Sequence, residues 1–461
     1  DGGAQVPEWM GELYFEMHRG TYTSQLRIKQ GNRDCERLLR EVELLAALLP
    51  PDPDLTDALE RWWKAVLIHQ FHDELPGSSI GWVHDEAEHE YARVAREVTS
   101  MIDAQLATLA PTGGAVVNVR SHDADEVVIT ESARGGVGEV QPMADGRVAW
   151  RVGAAALGVS AAQPSEPFHD SASGGVDEIT SEAFVIRQID GQVVSILDRL
   201  RQRELLAAPI SLELAPDHPV VYDAWDLEEW TRRLAEPLLP ERIELVDSGP
   251  LVAQWVAEYS FGASTAWLTH RLTAGSSRVE IDVDVDWHER EHLLSLAVPL
   301  DVHATDAGCG IQFGHVLRPT HRSTSWDAAK FEVCAHRFVD LSEPSFGVAV
   351  LNTGRYGHAV DGSTVRVSLV RGAQYPDPDA DLGRHRVTVA LFPHGSGLGE
   401  VVREAESLWY PLRVVDGSGA AHSASIDVGG RGVEVDAVKP ADDGSGDVIV
   451  RVHEALGDRS E

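Results

Sequence analysis

The sequence is poor in cysteine and in long apolar runs, and each absence excludes a class of protein. Its three cysteines, Cys35, Cys309 and Cys334, form no spacing motif. So sparse and odd a count predicts no disulfide framework and a reducing, cytoplasmic compartment. No apolar run is long enough to cross a bilayer, so no membrane span is predicted. Nothing at the N-terminus has the basic-then-apolar layout of a signal peptide.

Basic residues are also scarce. Lysine occurs four times, at Lys29, Lys64, Lys330 and Lys439, and the 74 acidic residues bring the net charge to -35. Nucleic acids and anionic membranes require basic patches, so neither is expected as a partner. Codon bias with a solubilising acidic shell would explain the acidity, and so would a salt-adapted proteome. The chain also has no Gly-rich phosphate loop, no Gly-x-Ser-x-Gly elbow and no Cys-x-x-Cys pair.

The first part of the chain predicts three helices. An apolar stripe indicates a helix over 32–49 that begins at Asn32, and a second helix begins at Thr56 and ends at Pro76-Gly77. A third helix is predicted over about 82–109. Amphipathic helices joined by short loops favour an antiparallel three-helix bundle.

The remainder of the chain predicts β-structure. Short segments of alternating apolar residues follow Pro111, and Arg278–Trp287 alternates most regularly. With 461 residues, several domains are expected, and the fold class is α+β with a bundle followed by antiparallel β-sandwich domains. The predicted divisions are a leading segment at 1–31, the bundle at 32–112, a small β domain or linker at 113–177, and a β-sandwich C-terminal domain at 178–461.

Two histidines and two acids fall between His69 and Glu74, at the predicted end of the second helix. The imidazole of His72 suits zinc-class metals, and the carboxylate of Asp73 can bind a metal or a sugar hydroxyl. His69 and Asp73 share a helical face that His72 does not. A capping histidine beside a solvated acid would explain the same residues, because a helix C-terminus favours a cation. One or two ligands also do not make a site, since a catalytic zinc usually has three protein ligands.

Two further polar stretches are candidate binding loops. Residues 375–385 space their acids like an EF-hand loop, but Leu382 and Thr388 stand where such a loop needs Gly and Glu. We therefore predict a stiff surface loop there, with a substrate-facing rim as the alternative. Residues 314–327 place Arg, His, Trp and Asp in one Pro-broken loop, which suits a carbohydrate and suits a domain interface equally well.

Several short motifs together carry a family resemblance. They are Glu12-Leu13-Tyr14-Phe15-Glu16, His18-Arg19-Gly20-Thr21-Tyr22-Thr23-Ser24, Gln70-Phe71-His72-Asp73, Leu75-Pro76-Gly77-Ser78, Arg318-Pro319-Thr320-His321, Lys330-Phe331-Glu332-Val333, Pro376-Asp377 and Ala380-Asp381. This set resembles α-mannosidases of glycoside hydrolase family 38, especially the cytosolic and vacuolar branch with its bacterial relatives. The motifs follow the family's order, with a poorly matched middle near 120–175.

The resemblance implies a particular architecture and metal site. It implies a three-helix bundle and a galactose-mutarotase-like supersandwich, preceded in the complete protein by an α/β barrel that this chain lacks. That barrel would carry both catalytic carboxylates and three metal ligands, so no catalytic residue is expected in this chain. The family's fourth metal ligand falls on His72, and Asp73 is expected to contact the substrate. The implied metal is zinc, with cobalt in some members.

The implied activity is that of a retaining, metal-dependent α-mannosidase acting on terminal α-D-mannose of glycans or oligosaccharides. The chain alone is expected to be inactive, and a non-catalytic carbohydrate-binding or assembly module derived from such an enzyme is the alternative. Many members oligomerise through their β-domains, which makes a homo-oligomer one of the implied partners. Two residues depart from the family: Glu74 replaces an apolar residue and His69 replaces Asn, which places metal choice and affinity in question.

Overall fold

The structure is a computed structural model that describes residues 8–111, 114–132, 139–162, 170–415, 424–426 and 432–459. Its helices are α1 (Leu26–Ala47), α2 (Pro53–Ile68), α3 (Gly81–Leu109), α4 (Glu229–Arg233), α5 (Ser325–Ala329) and α6 (Gly399–Trp409), and a 3₁₀ turn spans Gly20–Tyr22. Within the described ranges, no helix is both long enough and apolar enough to cross a membrane.

The first three helices pack around one apolar core, and two of them begin earlier than predicted. α1 begins at Leu26 rather than Asn32, which lies buried inside the helix. α2 begins at Pro53, because proline suits the first helical position and the Asp52 side chain accepts a hydrogen bond from the backbone N–H of Asp54 at 3.0 Å. The predicted bundle is present, although α1 is longer than predicted and α2, which ends at Ile68, is shorter.

Three antiparallel sheets share the largest core. In spatial order, the nine-stranded sheet contains Arg242–Ser248, Val252–Phe261, Ser264–Thr273, Val279–Trp287, Gly383–His394, Gly347–Asn352, Phe338–Ser342, Asp306–Ile311 and Gly314–Pro319. The six-stranded sheet contains Glu236–Leu238, Ser211–Pro216, His292–Pro299, Thr364–Arg371, Gly357–Asp361 and Val333–Cys334. The five-stranded sheet contains Arg203–Glu204, Gln192–Asp198, Phe184–Ile189, Glu178–Thr180 and Ser173–Gly174. These counts refer to the described residues, and they confirm the predicted α+β class with antiparallel β-sandwich domains.

Three smaller sheets lie between and beside these parts. One pairs Arg413–Val415, Ala115–Asn118, Gly158–Ala161 and Ala424–Ser425; another pairs Ala124–Thr130, Val148–Ala154 and Val140–Pro142; the third is the hairpin of Val433–Pro440 and Val448–Glu454. Val117, Val159 and Val435 belong to the same apolar cluster as the bundle. Two strands of the predicted 113–177 division, Ala115–Asn118 and Gly158–Ala161, thus share a sheet with strands from beyond residue 412.

Candidate metal and substrate site

His72 and Asp73 lie on a turn between α2 and α3, not on the last turn of a helix as predicted. α2 ends at Ile68. The backbone N–H groups of Gln70 and Phe71 then donate hydrogen bonds to the carbonyl oxygens three residues earlier, at 3.2 and 3.3 Å. These tighter bonds replace the i→i−4 ladder and end the α-helix. The predicted shared face of His69 and Asp73 is therefore absent.

Gly77 allows the loop from Gln70 to Ser79 to pack closely against Ser24. This glycine has φ +89°, which a residue with a side chain rarely adopts. A Cβ atom at this position would lie 2.5 Å from the carbonyl oxygen of Ser24. The loop can approach Ser24 so closely only because residue 77 is glycine.

His72 and Asp73 differ in how firmly they are held. The His72 side chain is 78% exposed, with its Nε2 atom 3.1 Å from Asp73 Oδ2. The other Asp73 oxygen accepts a hydrogen bond from Ser78 Oγ at 3.2 Å. The backbone carbonyl of Asp73 accepts from Ser78 N–H at 3.0 Å and from Ser79 Oγ at 2.9 Å. The pair therefore offers an accessible imidazole beside a fixed carboxylate.

Glu74, the extra charge that the sequence placed in this loop, is buried beside His69. Its carboxylate forms a short contact with His69 Nδ1, and the backbone carbonyl of His69 accepts a hydrogen bond from the Tyr91 hydroxyl at 3.3 Å. The two residues that depart from the family pattern are thus partners of each other. The carboxylate of Glu74 is enclosed by protein, whereas His72 is exposed.

Lys29 on α1 holds this loop in place by hydrogen bonds. Its ammonium group donates to the carbonyl oxygens of Leu75 at 2.9 Å, Pro76 at 3.2 Å and Ser24. Burial lowers the pKa of Lys29 to about 7. Sequence reasoning missed this residue, because a lysine in an amphipathic helix gives no local signal of such contacts.

The acidic loop at 375–385 caps α1, which neither sequence interpretation anticipated. Gln25 precedes the helix in a left-handed conformation, and its side chain does not cap the helix. Instead the carboxylate of Asp381 accepts hydrogen bonds from the backbone N–H groups of Gln25 and Leu26, both at 2.7 Å. Asp377 accepts a hydrogen bond from the Gln25 side chain at 2.6 Å. This long-range cap explains why α1 starts six residues before Asn32.

The predicted loop at 314–327 is a strand followed by a turn and α5. Arg318 donates two hydrogen bonds to Glu12, at 2.6 and 2.9 Å, and a third to the carbonyl of Cys334 at 2.8 Å. Arg318 therefore anchors the N-terminal segment. Among the described residues, no hydrogen bond or ion pair joins this region directly to the loop of His72 and Asp73.

The donor set around His72 fits part of a zinc-class site. One imidazole and one carboxylate are of the right chemical types and lie next to each other. Within the described part of the chain, no group of three or more His, Cys, Asp or Glu residues could hold a metal ion. His72 and Asp73 therefore offer two donor groups of the kind that a zinc-class site uses, whereas a catalytic zinc usually takes three ligands from its protein.

The chain matches two domain models of one enzyme family. Residues 16–109 match the alpha mannosidase middle domain, and residues 183–379 match the glycosyl hydrolases family 38 C-terminal domain. Together the two segments make up more than half of the chain. They correspond to the helical bundle and to much of the β-sandwich.

Curated relatives match nearly the whole chain. Alpha-mannosidase 2C1 of Homo sapiens is 33% identical over 98% of this chain and 46% of the relative. Alpha-mannosidase of Saccharomyces cerevisiae is 31% identical over 99% of this chain and 44% of the relative. The chain thus spans about half the length of these relatives.

A solved structure has the same fold. The crystal structure of an alpha-mannosidase from Enterococcus faecalis V583 superimposes with a TM-score of 0.78 at 14% identity, covering 95% of this chain and 63% of that chain. From the two domain matches and the relatives that span it, the chain belongs to glycoside hydrolase family 38.

Proposed function

We propose that this chain is the bundle and β-sandwich part of a retaining, divalent-metal-dependent α-mannosidase, which removes terminal α-D-mannose from glycans or oligosaccharides. The observation that carries the proposal is the exposed His72 beside the fixed Asp73, on a loop of a family 38 middle domain. An α/β barrel in the complete protein would supply the remaining metal ligands and both catalytic carboxylates. Zinc is the expected metal, with cobalt as the alternative.

In this proposal His72 is one metal ligand and Asp73 contacts the substrate. His72 presents an accessible imidazole, which binds zinc-class metals in its neutral form. Asp73 has one oxygen held by Ser78, and its other oxygen can accept a hydrogen bond from a sugar hydroxyl. A bound zinc ion would supply Lewis-acid contacts to the sugar hydroxyls at the cleavage point.

The rigidity of the loop supports these roles. Lys29 fixes Leu75 and Pro76, while Gln70 donates to Asn32 Oδ1 at 2.9 Å and to Glu36 Oε1 at 3.0 Å. The loop is therefore bonded to α1 on both sides of His72 and Asp73. A ligand held in this way binds its metal with little loss of conformational freedom.

The proposal is tested with the complete protein and with this chain alone. In the complete protein we expect His72→Ala to remove bound metal and to lower kcat/KM for an aryl α-mannoside at least 100-fold. His89→Ala, which changes another exposed histidine, should leave both unchanged. Metal is measured by elemental analysis and activity by release of the aryl group. Full activity of His72→Ala would refute the proposal.

The chain alone is expected to be catalytically inert and to bind zinc weakly in a calorimetric titration. Weak or absent binding in both wild type and His72→Ala means that the metal site requires residues from outside this chain, as proposed. Tight stoichiometric binding that His72→Ala abolishes would instead favour an independent binding module. Substantial hydrolysis of the aryl α-mannoside by this chain would show that the carboxylate pair lies within it.

A further inference from the structure

Two exposed tryptophans meet on the surface formed by the N-terminal segment and α5. The rings of Trp9 and Trp326 have centroids 5.6 Å apart and are inclined at 60°. Trp9 is 54% exposed and Trp326 is 64% exposed. Large apolar side chains that are both clustered and exposed commonly mark a binding surface, whereas single exposed ones do not.

Both rings are mounted on firmly bonded backbone. Trp326 lies on α5, which starts with a capping box: Thr324 N–H donates to Asp327 Oδ2 at 3.0 Å, and Asp327 N–H donates to Thr324 Oγ1 at 3.2 Å. Trp9 donates from its indole Nε1 to the carbonyl of Glu12 at 3.1 Å, and Arg318 holds the Glu12 carboxylate. The pair is thus a fixed surface with two ring faces at an angle.

Polar side chains lie on the same chain segments as the two rings. Glu12 beside Trp9 lies 4.0 Å from the ammonium group of Lys330. His321 is half-exposed, with its Nδ1 atom 3.6 Å from Asp327, the neighbour of Trp326. Within the described residues, the Trp326 indole nitrogen has no hydrogen-bond partner. Aromatic faces bordered by a few donors and acceptors suit a ligand that has an apolar ring face and a rim of hydroxyls.

The same segment connects these rings to the loop of His72. The chain from Trp9 to Ser24 passes Tyr14, whose hydroxyl donates to the carbonyl of Glu332 at 2.5 Å. It ends at Ser24, whose carbonyl accepts from Lys29, the residue that also holds the His72 loop. The tryptophan pair and the candidate site thus belong to one hydrogen-bonded scaffold.

We propose that Trp9 and Trp326 form a stacking platform for a pyranose ring of an α-linked mannose oligosaccharide. The choice of mannose as the sugar rests on the proposed function. The assignment adds to that function by naming the residues that hold one sugar ring. One indole face supports the ring, the inclined second indole limits its position, and the polar rim binds hydroxyls. Trp9 and Trp326 are binding residues in this assignment, not catalytic ones.

The test is a titration of this chain with an α-linked mannotriose, followed by the indole N–H signals of the ¹⁵N-labelled protein. We expect a saturable shift of two indole signals, those missing in Trp9→Ala and Trp326→Ala. Each variant should weaken binding at least tenfold. Trp82→Ala is the matched control, since Trp82 is 68% exposed and bonds to Glu86. It should bind within twofold of the wild type.

Three outcomes would overturn the assignment, and a fourth would separate it from the proposed function. If no indole signal shifts, the rings do not hold this sugar, and contact with another protein domain becomes the better account of their exposure. If maltotriose binds equally well, the platform is not one for mannosides. If the complete protein hydrolyses α-mannosides but both tryptophan variants bind and cleave normally, the platform fails while the proposed function stands. Binding that needs both rings, in a complete protein without hydrolysis, would keep the platform and refute the proposed function.

Discussion

Lys29 allows a direct test of how the His72 loop is fastened. Its amine lies against the carbonyls of Ser24, Leu75 and Pro76, and burial lowers its pKa from the ordinary 10.5 to about 7. A displacement of that size corresponds to roughly 5 kcal/mol in favour of the neutral amine.

This displacement has a definite effect on stability. Between pH 7 and 10.5 the unfolded chain binds a proton at Lys29 that the folded chain does not, so the free energy of unfolding rises with pH. The stability that the lowered pKa of Lys29 contributes is fully present above the unfolded pKa of 10.5. It is lost as pH falls through the folded pKa of about 7. From pH 6.5 to 8.5 the wild type should gain about 2 kcal/mol over Lys29→Met.

The small number of lysines makes the measurement simple. With ¹³C-labelled lysine, only four side-chain Cε signals arise, and Lys29→Met identifies the signal of Lys29. Urea denaturation of wild type, Lys29→Met and the exposed control Lys64→Met supplies the stability difference at each pH. The reasoning is refuted if the signal of Lys29 titrates above pH 9.5, or if the wild type and Lys29→Met respond to pH in parallel.

Two further predictions concern the scaffold of the site. Asp381→Ala should lower the free energy of unfolding by about 2 kcal/mol, because two backbone N–H groups at the start of α1 lose their buried acceptor. The exposed control Asp379→Ala should change it by less than about 0.5 kcal/mol, and equal effects in urea denaturation would contradict the cap. His69→Asn and Glu74→Leu should each destabilise the chain, and the double variant should recover about 1 kcal/mol of their summed loss. Additive losses in thermal denaturation would mean that the two side chains are not coupled.

Much of the architecture follows from local patterns in the sequence. The third helix was predicted over 82–109 and spans Gly81–Leu109, because its apolar residues recur at helical spacing over many turns. The strand Val279–Trp287 alternates between buried and half-buried residues as its sequence predicts. The motif around His72 also indicated the family. Hydrophobic periodicity and turn residues reflect interactions between residues a few positions apart, so they can be recognised from the sequence without knowledge of the fold.

The arrangement of the site depends on contacts that no local pattern encodes. Asp381 caps a helix that begins 355 residues before it, whereas its sequence context indicated a surface loop, with a substrate-facing rim as the alternative. The helix was expected to continue past His72 to Pro76-Gly77, but the chain turns at His69, where the carboxylate of Glu74 contacts the imidazole. Trp9 and Trp326 meet because the N-terminal segment packs against the β-sandwich, to which Arg318 and Tyr14 join it by hydrogen bonds. A hydrogen bond or ring contact depends on distance in space, which the tertiary structure alone sets for residues hundreds of positions apart.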